Sequence, residues 1–94
     1  MHSIRRLKDF EVSMKRLKNS GVKISVKKKI EQAIDILASG QKLPTSFKDH
    51  KLSGELQDCR ECHIKGDLLL VYKIEKENLL LILVDIGSHS KLFS

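Results

Sequence analysis

The sequence predicts an α+β fold: two N-terminal helices packed on a small antiparallel sheet, in one domain spanning residues 1–94. Three observations lead there. Apolar residues recur at helical spacing between Phe10 and Leu37. After Asp58 the pattern changes to short apolar runs separated by turn residues. The chain is 94 residues long, enough for one modest core and no more.

Ser3 to Leu7 reads as a short strand. Asp9 is the expected N-cap of the first helix, whose Phe10, Met14 and Leu17 fall at i, i+4 and i+7. Asn19-Ser20-Gly21 ends it, with Gly21 as the left-handed cap. A second helix is expected from near Ser25, with Val26, Ile30, Ala33, Ile34 and Leu37 as its apolar stripe and Ser39-Gly40 as its stop. The Gly-containing link between them predicts a helical hairpin. Gln41 to Asp58 lacks periodicity, holds the only proline, Pro44, and reads as a long loop. Arg60–Lys65, Leu68–Ile74 and Leu79–Val84 read as a three-stranded meander. The last of these scarcely alternates, as a strand covered on at least one face would. The tail from Ile86 is expected as a final strand or a docked turn.

Charge narrows the function classes. The formal net charge is +6, and residues 1–30 hold ten basic and two acidic side chains. A basic half points to a polyanion or an acidic protein partner, or to a solvated lysine-rich helix face. Aromatic residues make up 4% of the chain, too few for a stacking-based single-strand binder. The apolar runs Leu68–Tyr72 and Leu79–Val84 are too short to span a bilayer, and Met1 to Phe10 has no apolar signal core. The expected location is cytoplasmic, with no membrane partner.

Cys59 and Cys62 lie in Cys-Arg-Glu-Cys-His, which on its face is a haem-attachment pattern. That chemistry belongs to exported proteins, and no export signal is seen. A structural zinc needs four ligands, and a second C-x-x-C is missing. A redox pair normally opens a helix, and none is expected here. Two reduced thiols are expected, one buried and one near the surface.

The histidines carry the chemistry. His2 stands at the start and reads as incidental. His50 falls in the loop, His63 on the first meander strand and His89 past the last strand, with Asp67 in the turn after His63. A meander can bring these points to one end of its sheet. Histidines can then act as general base and general acid, the pair that RNA cleavage needs to deprotonate a 2′-hydroxyl and protonate the leaving 5′-oxygen. Arg60, Lys48, Lys51 and Lys91 are candidate cations for the phosphate. Three scattered surface histidines are the alternative. No H-x-H or H-x-x-x-H spacing supports a His/His/Asp metal site, and no metal or organic cofactor is expected.

Three segments together resemble a known family. They are Lys48-Asp49-His50-Lys51-Leu52-Ser53-Gly54, Arg60-Glu61-Cys62-His63-Ile64-Lys65-Gly66-Asp67-Leu68-Leu69-Leu70-Val71-Tyr72, and Gly87-Ser88-His89-Ser90-Lys91-Leu92-Phe93. In order and spacing they are similar to the YafQ group of the RelE toxin superfamily. The resemblance implies a RelE-like sheet with two helices. It implies a toxin of a bacterial type II toxin–antitoxin system, an endoribonuclease that cleaves mRNA in the ribosomal A site. The implied partners are an antitoxin, the ribosome and mRNA, with operator DNA reached only through the antitoxin. It carries functional positions onto His50, His63, Asp67, His89 and Phe93. His89 is expected as general acid, with His50, His63 and Asp67 on the base side. Phe93 is expected to pack on a base, hold the tail, or join the core.

Two departures stand out. Where the family usually has an arginine, two residues before the glycine of its G-[ST]-H motif, this chain has Asp85. Either Asp85 points elsewhere and Arg60 or a lysine substitutes, or the chain is an impaired toxin that binds antitoxin or ribosome without cleaving. Leu68 stands where some relatives place a tryptophan. Lys15, Arg16, Lys18, Lys23 and Lys27–Lys29 are expected to contact ribosomal RNA phosphates or an acidic antitoxin segment. A basic RNA-binding domain unrelated to toxins is the third reading.

Overall fold

A computed structural model describes residues 1–54 and 58–93. Strand β1 (Ser3–Arg6) leads into helix α1 (Lys8–Asn19) and then α2 (Ile24–Ala38). The expected loop is broken by a 3-10 turn at Thr45–Phe47 and by a two-residue strand, β2 (His50–Lys51); its residues 55–57 lie outside the described part. Strands β3 (Arg60–Lys65), β4 (Leu68–Glu75) and β5 (Leu80–Ser88) follow, and a short helix, α3 (His89–Phe93), closes the described chain.

The described strands form one sheet in the order β1-β5-β4-β3-β2. The meander is antiparallel throughout, but β1 pairs with β5 in parallel, so the sheet is mixed. A hairpin forces antiparallel pairing; β1 reaches β5 through both helices and the rest of the sheet, so no tight turn constrains it.

That pairing moves the start of α1. Leu7, not Asp9, occupies the cap position, in extended backbone and without a side-chain cap. Its N–H donates to the Leu83 carbonyl at 3.0 Å, so Leu7 still belongs to the strand register. Asp9 and Glu11 instead sit in the first turn, where negative charge favours the positive end of the helix dipole. The helix ends follow expectation, with Gly21 and Gly40 at φ +80° and +84° just past them.

The core lies between the helices and one sheet face. Phe10 of α1 and Val26, Ile30, Ala33 and Leu37 of α2 share it with Cys62, Ile64, Leu70, Tyr72, Leu81, Leu83 and Ile86. Side chains alternate along a strand, so Glu61, His63, Leu69 and Val71 take the opposite face. In β5 the alternation slips. Val71 pairs with Asp85 but Tyr72 with Leu83, leaving Val84 as an extra residue. Upstream of this bulge the odd positions Leu81 and Leu83 face the core; downstream the even position Ile86 does. Beyond the bulge Gly87 joins the face that carries Glu61 and His63, while the Asp85 carboxylate reaches Ser13 of α1.

Both cysteines are buried and free, correcting the expectation of one near the surface. Cys59 precedes β3 instead of lying within it, so strand alternation does not send it outward. Burial pushes the Cys62 thiol from the ordinary 9.0 up to about 12. Among the described residues, no helix is long and apolar enough to cross a membrane.

Candidate active site

β2 is too short to bury a side chain, and its placement comes from Asp49, one residue before it. Tyr72 Oη donates to Asp49 Oδ1 at 2.5 Å. The Arg60 guanidinium reaches both Asp49 oxygens, at 3.1 to 3.3 Å. Burial first, and then the Asp49 carboxylate, push the Tyr72 phenol well above its usual value and keep it a donor. The same carboxylate raises Arg60. This clamp lies at the core-side rim and seats the strand in register, with His50 opposite Glu61.

On the other face, His50 Nε2 lies 3.0 Å from Glu61 Oε1, and Nδ1 donates to the Lys48 carbonyl at 2.8 Å. Lys48 offers that carbonyl from a left-handed conformation, φ 49°. His63, two residues along β3 from Glu61, brings its ring to 6.2 Å from that of His50. Glu61 is 5% exposed, and its Oε2 is buried with no hydrogen-bond partner. One ligand atom each from His50, Glu61 and His63 lie within 4.8 Å of one another, so these three could hold a metal ion. The sequence offers Asp67 as the acid of a metal set; the structure supplies Glu61 instead.

Asp67 belongs to a second grouping. Its Oδ1 lies 3.4 Å from the backbone N–H of His89, across the turn from β3 to β4. The His89 ring stands 5.0 Å from the Phe93 ring. Phe93 is 38% exposed, so its role is not core packing. The register His63–Leu69–Gly87 runs across β3, β4 and β5, so the two groupings lie at one end of the sheet with β4 between them.

The four expected cations separate. Arg60 is bound to Asp49 on the core side. Lys48 and Lys51 are exposed on either side of His50. Lys91 Nζ donates to Ser13 Oγ at 2.8 Å. Ser13 Oγ in turn donates to Asp85 Oδ1 at 2.6 Å, which also accepts the Ile86 N–H at 2.8 Å.

The family model described as the bacterial toxin of type II toxin–antitoxin system, YafQ, matches residues 2–94. The chain belongs to the YafQ toxin family. Its fold superposes on the metal-bound toxin from Helicobacter pylori with a TM-score of 0.88 at 44% identity, covering 99% of this chain and 100% of that one. It superposes on YafQ from Escherichia coli with a TM-score of 0.87 at 23% identity, over 100% of both chains, which shows the shared fold. In sequence it is 37% identical over 51 residues to the mRNA interferase toxin YafQ of Escherichia coli K12, 54% of this chain and 53% of that protein. It is 46% identical over 41 residues to a YafQ relative of Haemophilus influenzae, 44% of this chain and 40% of that protein. These alignments span about half the length of the curated relatives or less.

Four residues of this YafQ-family site escaped the sequence reading, Asp49 among them although it stands in the first motif beside His50. Glu61 had a usable signal, since it sits two before His63 in a strand and must share its face. Ser13 had one too, a polar residue three after Phe10 on the apolar side of α1. Tyr72, on the core face, has none that points to Asp49.

Proposed function

We propose that this chain is a ribosome-dependent mRNA endonuclease, the toxin of a type II toxin–antitoxin pair. The observation that carries the reading is a pair of histidine groupings at one end of the sheet: His50 with Glu61 and His63 on β2 and β3, and His89 with Asp67 and Phe93 at the end of β5. Family membership supports the same reading. Acid–base cleavage of RNA needs a base at the 2′-hydroxyl and an acid at the 5′-oxygen, each contributing roughly 10²–10⁴-fold. The His50–Glu61–His63 side takes the first proton. His89, at the start of α3 and beside Asp67, gives the second. Phe93 extends an exposed ring on which a base can stack. The partners of this reading are mRNA in the ribosomal A site and a cognate antitoxin that covers the site or the basic helices. The protein acts in the cytoplasm, where ribosomes are.

The test is 5′-end mapping by primer extension on an mRNA translated in a cell-free system. Cuts within translated codons that vanish with His89→Ala support the reading. No cuts from the unsubstituted chain sink it.

The orphaned Glu61 Oε2 favours a second occupant for the base side. Two imidazoles and a carboxylate suit a borderline divalent metal such as copper or zinc. A related toxin from Helicobacter pylori is described as metal-bound. Held by His50, Glu61 and His63, such an ion would occupy the nitrogens needed as bases and so inhibit cleavage.

A further inference from the structure

We propose that Lys91 is the cation that stabilises the scissile phosphate, held in position by Ser13 and Asp85; this assignment rests on the nuclease reading above. Asp85 occupies the family's arginine position, opposite Val71 and two residues before Gly87. A bare carboxylate there would repel a phosphate. Its Oδ1 instead accepts from Ser13 Oγ and from the Ile86 N–H, so the carboxylate is turned toward α1. A hydroxyl that donates to Asp85 offers its lone pairs elsewhere, and Lys91 Nζ donates to them at 2.8 Å. The serine thereby joins a negative group on β5 to a positive one on α3.

The lysine lies along Gly87. A Cβ on Gly87 would come 3.0 Å from Lys91 Cδ and 3.5 Å from Nζ. Gly87 pairs with Leu69, which pairs with His63, so the ammonium stands on the site face two strands from the base side. Arg60, the alternative cation, is bound to Asp49 at the opposite rim. Lys91 is thus the cation that passes Gly87, within reach of a phosphate bound on the His63 face.

In the reaction the 2′-oxygen bonds to phosphorus as the bond from phosphorus to the 5′-oxygen breaks. The 2′-hydroxyl proton goes to the base side and His89 supplies one to the 5′-oxygen. The products are a 2′,3′-cyclic phosphate and a 5′-hydroxyl. Lys91 transfers no proton; it neutralises charge that grows on the non-bridging oxygens, an effect worth roughly 10²–10³-fold in kcat.

The test is single-turnover cleavage on programmed ribosomes. Lys91→Gln is expected to lower kcat about 100-fold with KM within about 3-fold, and Lys91→Arg to recover most of the loss. Gly87→Ala displaces only the flexible end of Lys91 and should lower kcat about 10-fold while the melting temperature holds. An undiminished kcat for Lys91→Gln, or an equal loss for Lys91→Arg, overturns the assignment while leaving the nuclease reading in place. No cleavage by the unsubstituted chain overturns both.

Discussion

His50 and Glu61 face each other across β2 and β3 with 3.0 Å between Nε2 and Oε1, while His50 Nδ1 donates to the Lys48 carbonyl. Each ring nitrogen therefore meets an oxygen. The buried carboxylate thereby orients the half-exposed His50 ring.

Glu61→Gln tests that contact. The amide keeps the shape of the side chain but removes its charge and replaces one acceptor oxygen with an NH2 donor. Cleavage is expected to fall about 10–100-fold, with little change in folding. Rate measurements beside thermal melts separate the two effects, and an unchanged rate would remove Glu61 from the base side.

The clamp on Asp49 makes a separate prediction. Tyr72→Phe deletes one hydrogen bond to a carboxylate and nothing else in volume. The expected loss is about 1.5–3 kcal/mol in urea unfolding. Cleavage should slow as well, because Asp49 seats the strand that carries His50. A variant as stable as the parent would show the bond to be dispensable.

Alkaline pH tests the buried thiol. Well below 9.0 the Cys62 thiol is neutral in folded and unfolded chains alike. Between 9.0 and about 12 the unfolded thiol ionises while the folded one keeps its proton. The unfolded state then binds fewer protons, so stability falls as pH rises through this window. Tyr72, raised from 10.0, adds to the fall at its upper end. The readout is therefore a difference: urea titrations from about pH 8 to about pH 10.5 should slope less steeply for Cys62→Ala than for the parent.

Metal binding can be read without any RNA. Copper or zinc should raise the melting temperature of the parent, by mass action on the folded state. The increase should disappear in His50→Ala and in Glu61→Gln, and should persist in Asp67→Asn, which lies outside the trio. Persistence in all three variants would place the ion elsewhere.

The basic helices predict a salt effect. Replacing Lys27, Lys28 and Lys29 with alanine should weaken ribosome association. Its logarithmic salt dependence should also become shallower, by about one for each phosphate that a lysine no longer neutralises. Sedimentation with ribosomes at several salt concentrations measures both. An unchanged slope would exclude these lysines from phosphate binding.

Much of this protein follows from its sequence alone. Helical spacing and glycine stops defined α1 and α2, because a packed helix must place its apolar side chains every third or fourth residue. Turn residues separated the meander strands, and three linked motifs marked His50, His63, Asp67 and His89. Tertiary structure decided the rest. The parallel seat of β1, and with it the start of α1, depends on a partner strand more than seventy residues away. The two-residue β2 has too little local preference to declare itself and exists because Asp49 is clamped by Arg60 and Tyr72. The bulge at Val84 lies in an unbroken apolar run with no alternation to interrupt, yet it decides which face Gly87 joins. A one-residue slip reverses every side chain beyond it, and only pairing with β4 fixes where that slip occurs.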